Sequence, residues 1–216
     1  VTPDFALLLD MDGTLLDSEK LWEIGLHDLA VHHGGRMSAQ ARERMVGGNM
    51  ADSMDILHTD IGKPWLDAQA STDWLENRMA EIFTEGVPWR PGAAELLAAA
   101  RAAGVPVALV TATRRHLVEV CLDTLGRDNF DAVVCGDEVP ETKPHPAPYL
   151  TGAALLGFPA ASCVAIEDSP TGVASALAAG CAVLAVPCEV PLDGLGATVT
   201  DSLASIDLPY LRSLLL

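Results

Sequence analysis

Residues 6–14 read ALLLDMDGT, so an apolar run ends on Asp10 and a second carboxylate follows at Asp12. Two like charges this close repel, and both are costly to bury. Other short apolar runs end in the same manner. One closes on Thr111-Ala112-Thr113 and another on Glu167-Asp168-Ser169, while Lys143 sits in GDEVPETKPHP (136–146). If these runs are parallel strands, a hydroxyl, a lysine and several carboxylates converge at the edge where ligands of doubly wound sheets bind. Taken singly, an acid at a strand end reads equally well as a turn or cap residue. Their coincidence at one edge is what makes them candidates.

The acids need a counter-charge. Carboxylates, the backbone carbonyl of Asp12 and water suit a hard cation, with Mg²⁺ the default. Asp10 and Asp168, on neighbouring strands, would each offer an oxygen. A cation beside a carboxylate suits attack on a phosphate ester. The metal and Lys143 neutralise the phosphoryl oxygens, and the Thr111 hydroxyl and nearby backbone amides, that of Ala112 included, hold the rest. One acid attacks and forms an aspartyl-phosphate; the other protonates the leaving alkoxide. No His or Cys cluster has zinc spacing, and His32-His33 reads as a solvated helix face.

Certain elements must position these groups. Apolar runs at 5–10, 105–111, 132–136, 163–168 and 182–187 read as buried parallel strands. Helical patterns at 93–104, 115–126, 146–157 and 170–180 alternate with them, each ending on glycine. Short connections predict βαβ units and an α/β doubly wound, Rossmann-like parallel sheet. Ser169-Pro170 supplies an N-cap followed by proline at the first helical position. Residues 17–87 break the alternation, showing helical spacing and no convincing strand. The expected organisation is a core of residues 1–16 and 88–216 with an α-helical insertion at 17–87.

Composition narrows the function. Half of the 216 residues are hydrophobic, enough for one domain with an insertion. A formal net charge of −17 argues against a general nucleic-acid or anionic-membrane surface, and it obliges an anionic substrate to find a local positive site. The five cysteines form no CxxC pair and read as buried thiols in a reducing compartment. With no signal pattern and no membrane-length apolar run, a cytoplasmic chain is expected, working as a monomer on a small metabolite, with neither nucleic acid nor membrane as partner.

In order and placement these residues resemble the haloacid dehalogenase-like (HAD) superfamily. The matching motifs are DMDGT at 10–14, Thr111, Lys143 and Glu167-Asp168. VPETKPHPAPYL (139–150) is similar to the branch of β-phosphoglucomutases and sugar-phosphate phosphatases. The resemblance implies Asp10 as nucleophile and Mg²⁺ ligand, and Asp12 as general acid/base binding Mg²⁺ through its carbonyl. It implies Thr111 and Lys143 on the phosphoryl group, Asp168 as metal ligand, and Glu167 near the metal or its waters. The insertion becomes a mobile cap with its hinge at 17–19. Dehalogenases and phosphonate hydrolases of the superfamily lack the acid at position 12, so Asp12 favours phosphate chemistry. Arg114, Arg44 and Arg78 are the candidates for substrate contacts. The leading expectation is a Mg²⁺-dependent phosphatase of small phosphorylated metabolites, sugar phosphates foremost. The alternatives are a phosphomutase using the same aspartyl-phosphate and a non-catalytic binding module.

Overall fold

The structure is a computed structural model and describes residues 3–46 and 48–216. Its centre is a six-stranded parallel sheet: β1 (Ala6–Leu9), β2 (Val107–Val110), β3 (Ala132–Val134), β4 (Cys163–Glu167), β5 (Ala182–Ala185) and β6 (Thr198–Val199). The order is β3-β2-β1-β4-β5-β6. The first three strands step outward one way, and β4 then returns to the other side of β1, pairing Leu9 with Ile166. Side chains alternate across the pleat. Leu7, Leu9, Leu109 and Ile166 enter one buried cluster, while Leu8, Val110 and Ala165 enter the other.

Helices cover both faces. α5 (Ala93–Ala103), α6 (Arg115–Leu125) and α9 (Leu208–Ser213) pack on the first cluster. α7 (Ala147–Leu156) and α8 (Pro170–Ala179) pack on the second. This agrees with the sheet and helices expected from the sequence. β6 is an addition, too short to show any pattern. At the start of α8, the Ser169 hydroxyl accepts from the Gly172 N–H at 3.1 Å, as the Ser-Pro pair predicts.

Between β1 and α5 lie α1 (Glu19–His32), α2 (Ala39–Met45), α3 (Met50–Asp60) and α4 (Ala68–Thr84), with no strand among their described residues. The chain leaves and returns along one pair of linkers. The Asp17 N–H donates to the Pro88 carbonyl and the Arg90 N–H to the Leu15 carbonyl, both at 2.8 Å. The helices share a core of Leu29, Met54, Leu57, Leu75 and Met79. A solvated face describes only His32, which is exposed and stacks on Trp74. His33 instead lies 2.9 Å from the Ser71 hydroxyl, which also meets the buried His58 at 2.8 Å. The cysteines are all free; Cys188 is half-buried and the other four are buried. Among the described residues, no helix is long and apolar enough to cross a membrane.

Candidate active site

β1 and β4 adjoin where the strand order turns back, and a cavity of about 1240 Å³ opens beyond their carboxyl ends. Asp10 follows β1 directly; Glu167 ends β4 and Asp168 comes next. Asp10 is 6% exposed, Asp168 7% and Glu167 0%. One oxygen from each lies within 4.8 Å of the others. Thr111, Ala112 and Thr113 continue the wall at the end of β2, the strand beside β1, and Lys143 enters from the segment before α7.

Three buried carboxylates demand compensation. The Lys143 ammonium donates to Asp10 Oδ1 at 2.7 Å, to Glu167 Oε1 at 2.6 Å and to the Val110 carbonyl at 2.9 Å. Glu167 is then saturated. The Tyr149 hydroxyl donates to its Oε1 at 2.6 Å, and the Asp168 N–H and Ser169 hydroxyl reach its Oε2 at 3.2 Å. Glu167 therefore anchors the lysine rather than offering a free oxygen.

One ammonium cannot balance all three acids. Burial alone would lower Lys143, but Asp10 and Glu167 hold it above the usual lysine value, so it stays charged. Burial pushes Asp10 up to about 7 against the pull of Lys143, with Glu167 adding to the rise. Asp168 is also raised well above the carboxylate range, by burial and then by Asp10 and Glu167. Asp12 adds to the rise of Asp10 in the direction that like charges predict, as the smallest of the named influences.

Glycines let the acids press on the backbone. A Cβ at Gly13, where φ is +76°, would lie 2.1 Å from Asp168 Oδ2. One at Gly172 would lie 1.9 Å from the Glu167 carboxyl carbon. Such overlap forces the neighbour to move.

Asp12 faces the cavity in a different setting. Its Oδ1 accepts from the Ser18 hydroxyl at 2.7 Å and from the Trp22 indole N–H at 3.1 Å. Its Oδ2 accepts from the Thr113 hydroxyl at 2.6 Å. An indole N–H only donates, whereas a hydroxyl can turn and accept. Oδ1 thus remains an acceptor in either protonation state, and a proton on Asp12 belongs on Oδ2, beside Thr113.

The three candidate arginines part company. Arg114 lines the cavity and pairs with Glu76 and Asp73 of α4 at 3.2 and 3.5 Å. Arg44 is exposed and borders a separate surface hollow. Arg78 lies outside the cavity, held by Asp28 and Glu81 at 2.8 Å each. The arginine of α2 that lines the cavity is Arg42, together with Met45 on the same side of the helix. Arg44, two positions on, points away because a helix turns about 200° in two residues. Arg42 pairs with Glu189, beyond β5, at 2.8 Å and with Glu19 at 3.5 Å. Burial, and then Glu189 beside it, pushes Glu19 up to about 7.

The model of the haloacid dehalogenase-like hydrolases matches residues 6–180. The chain belongs to that family. Among its relatives, hexitol phosphatase A of Escherichia coli (strain K12) is 36% identical over 186 residues, which is 85% of this chain and 84% of that protein. A variant of CbbY from Rhodobacter sphaeroides, solved in complex with xylulose-(1,5)bisphosphate, aligns at a TM-score of 0.85. It is 27% identical and covers 97% of this chain and 99% of that one. β-Phosphoglucomutase from Clostridium difficile aligns at 0.81 over 99% of this chain and 97% of that one, but at 20% identity the likeness is one of fold alone.

In this haloacid dehalogenase-like hydrolase the acid pocket has the donor set of a hard-cation site. Asp10 and Asp168 present buried carboxylate oxygens that Lys143 does not fully neutralise. That deficit is what a divalent cation would supply. Several site residues escaped the sequence reading. Tyr149 lies within the Ala/Leu-rich pattern of α7. Ser18, Trp22 and Thr113 gave a signal only by closeness to the acidic and threonine motifs. Arg42 was detectable from helical periodicity, which pairs it with buried Met45.

Proposed function

We propose that this hydrolase is a Mg²⁺-dependent phosphatase of small phosphorylated metabolites, sugar phosphates foremost. The observation that carries the reading is the contact of Asp10 with a buried, charged Lys143 at the mouth of the β1/β4 edge, with Asp168 alongside. Lys143 and the amides after β2 hold the phosphoryl oxygens. An Asp10 oxygen forms a bond to phosphorus as the ester P–O bond breaks. Asp12 gives the proton on its Oδ2 to the departing alkoxide. Water then attacks phosphorus, its proton passes to Asp12, and the Asp10–phosphorus bond opens to release phosphate. Mg²⁺, held by Asp10, Asp168 and the Asp12 carbonyl, would neutralise charge on the phosphoryl group. Residues 17–87 serve as a cap that excludes bulk water, hinged on the paired linkers. Incubation with a generic aryl phosphate tests the whole: phosphate release with Mg²⁺ supports it, and full release after chelation removes it. A hexose phosphate with a bisphosphate primer separates this activity from a mutase, which would yield isomerised sugar phosphate in place of free phosphate.

Two predictions follow from the acids' different settings. Asp12→Ala slows alkyl phosphates by about a hundredfold or more, and aryl phosphates with good leaving groups far less, since general-acid help is worth about 10²–10⁴. Equal losses across a leaving-group series would assign the proton elsewhere.

The second concerns pH. Asp10 is raised to about 7, so in metal-free protein it keeps its proton when the unfolded chain has lost its own. Its contribution to stability is complete below the unfolded value and is lost as pH rises through about 7. Mg²⁺ competes with that proton. Apparent Mg²⁺ affinity by calorimetry should therefore be roughly thirtyfold weaker at pH 5.5 than at pH 8. A flat pH profile would remove Asp10 from the binding set.

A further inference from the structure

We infer that this enzyme selects phosphate monoesters whose remainder is an uncharged polyol and turns away bisphosphates, because carboxylates flank both guanidinium groups that line its cavity. The selection presupposes the phosphatase reading and concerns the end of the substrate remote from Asp10.

Two of the similar proteins named above pose the choice: one is called a hexitol phosphatase, and the other was solved with a bisphosphate. Room does not decide it, since about 1240 Å³ holds either kind of molecule. Charge does. A second phosphate needs a cation, and among the described residues the Lys and Arg side chains lining the cavity are Lys143, Arg42 and Arg114. Lys143 is committed to Asp10 and Glu167 at the phosphoryl end. Arg42 faces Glu189 at 2.8 Å, Glu19 at 3.5 Å and Glu23 at 3.8 Å, so three carboxylates share one guanidinium. Arg114 is shared by Glu76 at 3.2 Å and Asp73 at 3.5 Å. His145, also on the cavity wall, faces Glu141 at 3.6 Å.

A second phosphate at Arg42 would rest beside Glu189, and one at Arg114 beside Glu76 and Asp73, in each case next to like charge. The same walls suit hydroxyl groups. A carboxylate bound to arginine keeps lone pairs that accept from an alcohol O–H; on the cavity wall Asn49 keeps one amide hydrogen beyond its bond to Asp52, and the Ser53 hydroxyl, which donates to the Asn49 carbonyl, can still accept. A polyol thus satisfies the surface that repels a phosphate.

Competition against aryl phosphate turnover, in saturating Mg²⁺, tests this with a matched pair: a hexitol 6-phosphate and the same hexitol 1,6-bisphosphate. The monophosphate should compete at least tenfold more tightly. That gap should shrink to threefold or less in Glu189→Gln combined with Glu76→Gln, and it should narrow in wild type as salt is raised. Equal or tighter competition by the bisphosphate overturns the inference while leaving the phosphatase reading intact. So does a monophosphate that fails to compete, or a gap that neither the variants nor salt alter, since shape would then do the selecting. Absence of aryl phosphate turnover instead removes the phosphatase reading itself.

Discussion

Asp10→Asn should abolish phosphate release, lowering turnover of every monoester by about a thousandfold or more. The amide keeps the shape of the carboxylate, and its oxygen can still accept from Lys143, which Glu167 holds independently at 2.6 Å. What disappears is the anionic oxygen that, in the proposed reaction, attacks phosphorus. The variant also removes a charge that burial opposes. Its thermal midpoint in chelator should therefore rise relative to wild type between pH 5.5 and pH 8, where the wild type loses stability as Asp10 ionises. Lost turnover together with that pH-dependent gain identifies Asp10 as a nucleophile held in a costly state. Lost turnover with a midpoint that falls at every pH would mean only that the fold had suffered.

Lys143→Met should do the opposite to stability. Methionine occupies similar space but leaves Asp10 and Glu167 without their shared ammonium. Removing one partner of a buried ion pair typically costs about 3–5 kcal/mol. Urea unfolding in chelator at pH 8 should show a loss of that order. The loss should lessen toward pH 5.5, because Asp10, freed from the pull of Lys143 and so raised further, then carries a proton and the charge that lacks a partner is gone. Turnover should fall by about a hundredfold or more, since an electrostatic donor to the transferring group is lost. A variant as stable as wild type at pH 8 would show that Lys143 carries no burden in the core. Glu167→Gln offers a comparison. It spares the Asp10–Lys143 contact but weakens the anchor formed with Tyr149 and Ser169, so its effect should be smaller.

The sheet was legible because β1, β2, β4 and β5 are apolar runs halted by charged, hydroxyl or proline residues, and a buried parallel strand has little else to show. β6 has two residues and no pattern to read. The acids and Lys143 were legible for a related reason: strand ends in such a sheet share one edge, so position along the chain translates into position in space. Groups brought in by side-chain reach were not. The Tyr149 hydroxyl meets Glu167 across 18 positions of sequence, and Thr113 meets Asp12 across 101. No local period encodes either contact. Arg44 and Arg42 differ by a rotation about a helix axis that the glycine-rich segment after α2 obscured. His33 looked solvated because its partner Ser71 lies 38 residues away, on α4.

Gly13 and Gly172 carry a consequence for how the molecule tolerates change. In most places alanine is a gentle probe, deleting a side chain and adding nothing. At these two positions it adds a methyl group where a carboxylate already rests. An alanine scan would therefore report both as though they held reactive side chains, when each holds none. The footprint of the acid pocket on this chain's gene thus includes two codons whose contribution is empty space. A redesign that keeps every acid and lysine but fills that space would evict Asp168 or Glu167 without touching either.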